Sequence, residues 1–568
     1  MEDTAKKFCS ILLDVLQNKG VRNMVCSPGS RNLPLLLAAA SRPSIKKYFI
    51  ADERTAGFVG LGISLVKQEP VALICTSGTA LLNYAPSIAE AYYQGVPLII
   101  ISADRPVQWI DQDDSQTLRQ DGVLENFVKK SFTIPAVGED NKELQWYVNR
   151  IANEAVLEAC SHKPGPVHFN IHLAEPLGLK TKFACETPRI VNSIIGDSIV
   201  NKEIIKSLAK QLSESKVLLI AGFLLPDSFL QRALSNFSRN PNVTVMAETI
   251  SNVHLNNECY SVDSVLSSFD EKTLDSLAPD IVISIGGALI SRKLKEYLRR
   301  NKDKFKHWSI GYTNNFSDPF MSLSLKVEVE TSRFFKNINS ALLKFKIEDK
   351  VKNYKDSWTD LRRKALLLKD KFIKESSWSE LKAFDIILKS LPSNYNLFLS
   401  NGTAIRYAQI INYKLPHASY CNRGVSGIDG CVSTSIGGSF GYKGNTLIIT
   451  GDLSMAYDIG SLGVKNIPEN FKIIVIDNQG GGIFRFIPST SNFEEREEYL
   501  CQAPVLPLKD LSKGYKWDYF EINDEESLHE CLPKFFNSKN KSILKVVCDG
   551  FLSADILKEY MNLKYFEN

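Results

Sequence analysis

The chain has 568 residues, of which 44% are hydrophobic and 23% are charged, and its net charge is +4 at pH 7. These values are typical of a globular protein with two to four domains of roughly 150 residues each. The sequence has no basic tract suited to nucleic acid, no apolar run near the roughly 20 residues that cross a membrane, and no signal-peptide pattern. Its eleven cysteines lack a Cys-x-x-Cys pair, which predicts reduced thiols in a cytoplasmic protein.

The first third of the chain alternates predicted strands and helices. Helices are predicted at residues 4–19 and 76–94. Short apolar runs predict strands at residues 21–26, 47–51, 71–75, 96–102 and 167–171, the last an edge-like strand because a proline precedes it. Repeated strand–helix units of this kind predict a doubly wound parallel sheet.

Polar residues follow three of these strands. Ser30 and Arg31 lie in a loop before a helix, where backbone N–H groups and a guanidinium favour an anion. A plain strand–helix turn would use similar residues. Glu53 follows the second strand, where an exposed acid at a helix start is the simpler interpretation. Arg105 follows the fourth strand and is equally well explained as a structural arginine bonded to loop carbonyls.

The middle of the chain predicts a second α/β domain after a linker at about residues 185–205. Its strands are predicted at residues 217–221, 243–247 and 281–285. Gly286-Gly287 is typical of a dinucleotide-binding loop, but a single glycine pair is weak support. Arg292 and Lys293 indicate, by themselves, the solvated start of a helix. A charged tract at residues 339–374 predicts a helical connector.

The last third contains the most informative pattern. Apolar runs at residues 447–450 and 471–476 predict adjacent strands, with a helix at 454–466 between them. Asp452 follows the first strand, and Asn478 with a glycine-rich turn follows the second, so both would meet at the carboxyl edge of the sheet. With a backbone carbonyl near Gly480, they could hold a hard cation such as Mg²⁺ and leave positions for phosphate. A capping aspartate and an ordinary turn would explain the Gly-Asp pair alone.

This Gly-Asp…Asn-x-Gly-Gly pattern, together with the sequence from Cys421 to Gly430 (CNRGVSGIDG), resembles the cofactor-binding motifs of thiamine diphosphate (ThDP) enzymes. The resemblance is strongest to the MenD branch, which makes 2-succinyl-5-enolpyruvyl-6-hydroxy-3-cyclohexene-1-carboxylate in menaquinone biosynthesis. Many ThDP enzymes have a glycine where Leu453 stands here. Further matches lie at residues 28–31, 115–120, 291–293 and 401–406. The resemblance implies an α/β protein of three doubly wound parallel-sheet domains, with a pyrimidine-binding domain at 1–185, a central domain at 186–350 and a diphosphate-binding domain at 351–568.

The resemblance also implies roles for the matching residues. Catalytic residues would be Glu53, which would bond the pyrimidine ring of ThDP, and Ser30, Arg31 and Gln116. Glu53 would bind the cofactor together with Ser426, Gly427, Ile428, Gly451, Asp452, Leu453, Ser454, Asn478, Gly480, Gly481, Ile483 and Phe484. Mg²⁺, or Mn²⁺ in its place, would be held by Asp452, Asn478 and Gly480. The substrates would contact Ser30, Arg31, Arg105, Gln116, Arg292, Lys293, Thr403, Arg406, Arg423, Ile483 and Phe484.

Two of these assignments leave an alternative open. Ile428 and Phe484 have the composition of ordinary core positions, and only the motif assigns them to a binding site. Gly402 stands where the family has a serine, so Thr403 is the hydroxyl that would have to replace it.

The implied enzyme is a transferase that decarboxylates 2-oxoglutarate and adds the succinyl carbanion to isochorismate. The four carboxylates of these substrates would meet the six cations Arg31, Arg105, Arg292, Lys293, Arg406 and Arg423. We expect a homodimer or homotetramer with active sites between subunits, and neither a nucleic-acid nor a membrane partner. The alternatives are another ThDP-dependent 2-oxo acid decarboxylase or carboligase of the acetolactate synthase type, and a non-catalytic regulator that binds ThDP or a nucleotide. Glu53, Asp452 and Asn478 together argue against the regulator.

Overall fold

Three parallel β-sheets with flanking helices make up the computed structural model. The structure describes residues 6–136, 141–175, 177–178, 187–194, 196, 198–255, 262–313, 316–411 and 418–565. The predicted fold class, an α/β protein with three parallel-sheet domains, is confirmed. The predicted domain limits stay predictions, and the first of them, between residues 185 and 186, lies outside the described residues.

The first sheet has six strands in the order β2-β1-β3-β4-β6-β5. These strands are β1 Asn23–Cys26, β2 Lys46–Phe49, β3 Val71–Cys75, β4 Leu98–Asp104, β5 Lys130–Ile134 and β6 Val167–His172. Its helices are α1 Lys7–Asn18, α2 Leu33–Ala40, α3 Glu53–Lys67, α4 Thr79–Asn83, α5 Ala85–Gln94 and α6 Lys142–Ala159. Strands β1, β3, β4 and β6 are buried along their whole length, as expected for strands covered on both faces by helices.

The second sheet has five strands in the order β11-β10-β9-β7-β8. They are β7 Val217–Ala221, β8 Val243–Ala247, β9 Ile281–Ile285, β10 Lys306–Ile310 and β11 Leu323–Val327. The helices in this part of the chain are α7 Lys202–Ser213, α8 Ser228–Phe237, α9 Val262–Ser268, α10 Glu271–Ser276, α11 Arg292–Arg300, α12 Thr331–Leu342 and α13 Tyr354–Glu375. The three strands predicted here are confirmed, and β10 and β11 extend the sheet beyond them.

The third sheet has six strands in the order β13-β12-β14-β15-β17-β16. They are β12 Tyr395–Leu399, β13 Ser419–Tyr420, β14 Asn445–Gly451, β15 Phe471–Asp477, β16 Asp518–Ile522 and β17 Ser542–Val547. The helices are α14 Glu380–Ser390, α15 Ala404–Ile411, α16 Cys431–Gly441, α17 Asp452–Tyr457, α18 Arg496–Tyr499, α19 Leu508–Tyr515, α20 Glu525–Asn537 and α21 Gly550–Asn562. Strands β14 and β15 are neighbours, so the residues that follow them share one edge of the sheet.

Four predicted elements differ from the structure. Strand β6 is not at an edge but lies between β4 and β5, because Pro166 precedes the ladder and removes no hydrogen bond from it. The single helix predicted at 76–94 is two helices, α4 and α5, since Pro86 in the first turn of α5 cannot continue a preceding helix. The helix predicted at 454–466 is the short α17 followed by a 3₁₀ turn at Ile459–Gly463. The connector at 339–374 is interrupted between α12 and α13.

The chain divides into two compact units. The first comprises Met1–Ile195, Asn422–Thr446 and Tyr457–Phe471, and the second comprises Gly196–Cys421, Leu447–Ala456 and Lys472–Asn568. The first unit therefore combines the first sheet with segments that lie far along the chain.

Helices α3 and α16 cross closely within the first unit. A Cβ atom on Gly62 of α3 would overlap the carbonyl oxygen of Thr434, and one on Gly437 of α16 would overlap that of Val59. The two backbones can approach to this distance only because both positions are glycine.

None of the helices that the structure describes has the length and apolar character needed to span a membrane. Nine cysteines lie in the described ranges, all of them as free thiols, and eight are buried. Burial makes these thiols part of the core.

Candidate functional site

Asp452 lies at the carboxyl edge of the third sheet, as the first residue of α17 directly after β14. It is 2% exposed. Its Oδ2 accepts a hydrogen bond of 2.7 Å from the backbone N–H of Gly480, and its Oδ1 accepts one of 2.7 Å from that of Leu453. Burial raises the pKa of Asp452 to about 7, against the lowering effect of these two bonds. The carboxylate thus ties the end of β14 to the loop after β15.

Asn478 follows β15 at the same edge and is 3% exposed. Its Nδ2 donates a 2.8 Å hydrogen bond to Oε1 of Glu380. Its Oδ1 is buried and has no hydrogen-bond partner among the residues that the structure describes. A buried amide oxygen without a donor is rare in proteins and suits a cation ligand.

The glycines after Asn478 are required by close packing. Gly480 has a φ of +114°, and a Cβ on it would overlap the carbonyl oxygen of Cys501. A Cβ on Gly482 would overlap the side-chain amide of Asn478. The loop can therefore lie flat against the strand ends only with these glycines.

Arg485 binds the backbone of this loop. Its guanidinium donates to the carbonyl oxygens of Asn478 at 2.7 Å and Gln479 at 2.9 Å. Ile483 and Phe484 are half-buried in the 3₁₀ turn Gly482–Arg485.

The residues at this edge fit a divalent cation with a diphosphate. A carboxylate, an unpartnered amide oxygen and the backbone of Gly480 converge there, which matches the few oxygen ligands that Mg²⁺ takes from proteins. Gly451, Leu453, Ser454 and Gly481 lie in the same two turns, beside these ligands in the chain.

Glu380 belongs to this cluster, although the sequence analysis did not single it out. It is the first residue of α14 and is 1% exposed. Burial raises its pKa to about 7, and side-chain hydrogen bonds from Asn478 and Thr403 oppose that rise. In the sequence, an acid directly after Ser379 indicates ordinary helix capping, so no pattern there revealed the contact with Asn478.

Lys293 and Arg406 come together around a buried acid. Burial raises the pKa of Asp263, while a hydrogen bond from Ser291 and the charges of Lys293 and Arg406 lower it. The Oγ of Ser291 donates to Oδ1 of Asp263 at 2.6 Å and also accepts the N–H of Leu294, which caps α11. Two cations that were predicted to bind carboxylates therefore lie near enough to one buried carboxylate to lower its pKa.

Arg292 lies outside this group. Its side chain is 64% exposed, and its Nε donates a 2.6 Å hydrogen bond to Glu296 one helical turn away. The structure thus places Arg292 in a surface ion pair and its neighbour Lys293 in the cluster.

Arg31 and Arg105 lie at the carboxyl edge of the first sheet, after β1 and β4. Arg31 donates to the carbonyl oxygen of Leu173 at 3.0 Å and pairs with Glu175 at 3.1 Å. Arg105 pairs with Asp114 at 2.8 Å. Burial lowers the pKa of Arg31, and the charge of Arg105 lowers it further. The charges of Glu175 and Asp114 act in the opposite direction, so both guanidiniums already face acidic side chains.

Other polar groups lie at this edge. Ser30 is exposed, and the backbone of Gln116, with a φ of +57°, lies against Gly78. The hydroxyls of Thr76 and Ser77 are buried without a hydrogen-bond partner in the described ranges. The sequence analysis treated these two residues only as the start of a helix, because buried and exposed hydroxyls look alike in a sequence.

Glu53 begins α3 and is half-buried. The preceding Asp52 caps the helix, since its Oδ1 accepts the N–H of Arg54 at 3.0 Å. Burial raises the pKa of Glu53, and the charge of Asp52 adds to the rise. A carboxyl group in this condition is suited to sharing a proton with a ring nitrogen.

The loop that follows Asn422 is held by a buried acid of α5. Glu90 accepts the N–H groups of Gly424 at 2.6 Å and Val425 at 2.7 Å. Ser426 has a left-handed φ of +68°, which turns the chain at this point. Arg423, Gly427 and Ile428 are half-buried in the same loop. Glu90 was also missed, although an acid inside the apolar run from Ile88 to Ala91 could have signalled a buried role.

The predicted site residues fall into two sets. The second unit holds Arg292, Lys293, Thr403, Arg406, Gly451, Asp452, Leu453, Ser454, Asn478, Gly480, Gly481, Ile483 and Phe484. The first unit holds Ser30, Arg31, Glu53, Arg105, Gln116, Arg423, Ser426, Gly427 and Ile428.

Comparison with known proteins identifies relatives along nearly the whole chain. The family model described as "Thiamine pyrophosphate enzyme, N-terminal TPP binding domain" matches residues 6–123. The 2-succinyl-5-enolpyruvyl-6-hydroxy-3-cyclohexene-1-carboxylate synthase of Porphyromonas gingivalis is 39% identical over 566 residues, which cover 98% of this chain and 96% of the relative. Proteins of the same name from Flavobacterium johnsoniae and Bacteroides fragilis are 37% and 32% identical, over 97% and 98% of this chain and 97% and 98% of their own lengths.

Proposed function

Because the chain belongs to the family of 2-succinyl-5-enolpyruvyl-6-hydroxy-3-cyclohexene-1-carboxylate synthases, a branch of the ThDP-dependent enzymes, we propose that it decarboxylates 2-oxoglutarate and transfers the succinyl unit to isochorismate. The reaction belongs to menaquinone biosynthesis and makes the protein a transferase. The observation that carries this proposal is the 39% identity over nearly the full length of both chains.

The cofactor assignment is supported by the donors at the edge of the third sheet. Asp452 and Asn478 present buried oxygens, and the backbone of Gly480 completes the set for Mg²⁺ or Mn²⁺, which would bridge to the diphosphate. Bound ThDP supplies the electron sink for the loss of carbon dioxide from a 2-oxo acid. Ile428, Ile483 and Phe484 would cover the cofactor and exclude water.

Glu53 provides the proton chemistry in this proposal. Its carboxyl group holds a proton more readily than an exposed glutamate, because burial and Asp52 raise its pKa. It would share that proton with the pyrimidine ring nitrogen. Since the helix cap is made by Asp52, Glu53 itself remains available to the cofactor.

The cations orient the substrate carboxylates. We assign this role to Arg31, Arg105, Lys293, Arg406 and Arg423, with Ser30, Gln116 and Thr403 as uncharged partners. Arg31, Arg105 and Lys293 already lie near acidic side chains, so an incoming carboxylate would exchange with these. Arg292 would have to leave its Glu296 pair to join them.

The proposed assembly is a homodimer or homotetramer in the cytoplasm, with each cofactor between two subunits. Glu53 of a site would then come from one protomer and Asp452 from its partner. The support is the family resemblance.

Carbon dioxide release from labelled 2-oxoglutarate, with and without isochorismate, tests the reaction. The expected result is a 2-succinyl product that requires both substrates and disappears after dialysis against a chelator, returning when ThDP and Mg²⁺ are added. Pyruvate consumption with no use of 2-oxoglutarate would instead favour an acetolactate synthase type of carboligase. Full activity in the chelated, cofactor-free protein would contradict both.

A further inference from the structure

Glu380 lies directly beside Asn478 and is not among the residues that the family motifs assign. Its backbone is fixed from two sides. Ser379 caps α14 immediately before it, and its own N–H donates to Oγ of Ser553 at 3.1 Å. At 1% exposure, the side chain has no access to solvent. A buried carboxylate on a fixed backbone has a defined position, and it can orient the groups that form hydrogen bonds with it.

The carboxylate decides which way the amide of Asn478 faces. Its Oε1 accepts the 2.8 Å hydrogen bond from Nδ2, and this is the one side-chain hydrogen bond of Asn478 in the described part of the chain. In this bond the carboxylate oxygen accepts and the amide nitrogen donates, so Nδ2 of Asn478 faces Glu380. The amide oxygen is then directed to the opposite side, where it has no protein partner.

The opposite orientation would be harmful to cation binding. If the amide turned over, Nδ2 would replace Oδ1 in the cation position and would present two partly positive hydrogens to it. The packing of Gly482 against the amide confines the side chain without distinguishing oxygen from nitrogen, because the two atoms have nearly the same size. Only the hydrogen bond to Glu380 makes that distinction.

We propose that Glu380 is a positioning residue that presents Oδ1 of Asn478 to the divalent cation. This inference rests on the cation site of the proposed function.

The test measures Mn²⁺ affinity of the cofactor-depleted protein with added ThDP, from the electron paramagnetic resonance signal of free Mn²⁺. Glu380→Leu should weaken Mn²⁺ binding about 10- to 100-fold, the usual effect of losing a group that orients a metal ligand. Glu380→Gln keeps an acceptor oxygen and should weaken Mn²⁺ binding less than Glu380→Leu does. The matched control is Asp385→Leu, on the same helix, where a buried carboxylate pairs with Lys389 at 2.7 Å. It should lower thermal stability and leave Mn²⁺ affinity unchanged.

An aspartate at position 478 separates positioning from a general structural role. A carboxylate ligand has no nitrogen to misplace, so Glu380→Leu should not weaken Mn²⁺ binding in the Asn478→Asp background. The inference would be overturned if Glu380→Leu weakened Mn²⁺ binding equally with asparagine and with aspartate at position 478. It would also be overturned if Glu380→Leu bound Mn²⁺ normally while Asp452→Ala abolished binding. If Asp452→Ala also binds Mn²⁺ normally, the cation site of the proposed function is what fails. If Glu380→Leu does not fold, Glu380→Gln in the two backgrounds gives the same comparison.

Discussion

At the scale of single residues, Glu53 combines a raised pKa with a position that needs no carboxylate for the fold. Glu53→Gln keeps the shape of the side chain and removes its proton exchange. Turnover should therefore fall about 10²- to 10⁴-fold, while ThDP affinity changes little. Asp227→Asn is the matched control, because the exposed Asp227 caps α8, asparagine also caps helices, and activity should stay near that of the unchanged protein. A Glu53→Gln turnover within about twofold of the unchanged protein would remove the acid–base role.

Lys293 and Arg292 are adjacent in the chain but differ in surroundings, so alanine at each position gives a matched pair. Lys293→Ala removes a partly buried cation and should lower kcat/KM for the substrates about 10- to 150-fold, since a charge-assisted contact contributes about 1.5–3 kcal/mol. Arg292→Ala removes a surface ion pair worth roughly 0–1 kcal/mol and should change little. Steady-state kinetics at saturating ThDP measures both. A larger loss in Arg292→Ala than in Lys293→Ala would contradict the assignment.

His168 makes stability depend on pH. Burial lowers its pKa from 6.5 to about 4, so the unfolded chain binds a proton between these values and the folded chain does not. The free energy of unfolding should therefore fall by roughly 3 kcal/mol from this residue as the pH drops from 6.5 to 4, and should be unaffected by it above 6.5.

Urea unfolding at pH 7 and pH 4.5 checks this expectation. His168→Gln should show a smaller loss of stability between the two values. His529→Gln, at an exposed position, should show the same loss as the unchanged protein. Equal losses in all three proteins would contradict the role of His168.

Residue spacing was sufficient to predict that Asp452 and Asn478 follow neighbouring strands, because strand ends and the distance between them are visible in a sequence. Glu380, Glu90 and Asp263 were not predicted. Each is an acid on a helix, and its role depends on contacts with segments remote in the chain. The difference between Arg292 and Lys293 has the same origin, since one residue of helix rotation decides which side chain faces Asp263.

At the scale of elements, the crossing of α3 and α16 depends on Gly62. A methyl group there meets the carbonyl oxygen of Thr434, which is backbone and cannot rotate away. Gly62→Ala should destabilise the protein by about 1–3 kcal/mol. Gly514→Ala in α19 has open space around its Cβ and should be neutral or stabilising by about 0.4–1 kcal/mol. Thermal unfolding of the two variants measures the contrast, and equal stability would argue against a tight crossing.

Most interior strands of the three sheets were predicted because they are continuous apolar runs. Strands β5, β11 and β16 were missed, and each lies at the edge of its sheet with exposed residues interrupting the apolar pattern. The interior strands β10 and β17 were not predicted either. Helix interruptions were missed where a single residue, such as Pro86, outweighed a long helical pattern. Local periodicity therefore predicts the buried layers and is weaker at sheet edges and helix ends.

At the scale of the whole molecule, the proposed assembly predicts complementation. Glu53→Gln and Asp452→Ala should each be inactive alone. After subunit exchange, one site of a mixed dimer carries both changes and the other carries neither, so activity should return at up to one working site per mixed dimer. Native mass spectrometry or two affinity tags must show that mixed dimers have formed. Mixed dimers without activity would mean that both residues act within one chain.

The composition of the first unit has a consequence for the order of events during translation. Helix α3 leaves the ribosome several hundred residues before α16 is made. At about 5–20 residues per second, this interval lasts tens of seconds. Throughout it, the glycine face of α3 has no helix to cross, and it stays accessible to chaperones and to other nascent chains. Synthesis of the first unit therefore begins at the start of translation, but the unit is completed only after Phe471 has been made.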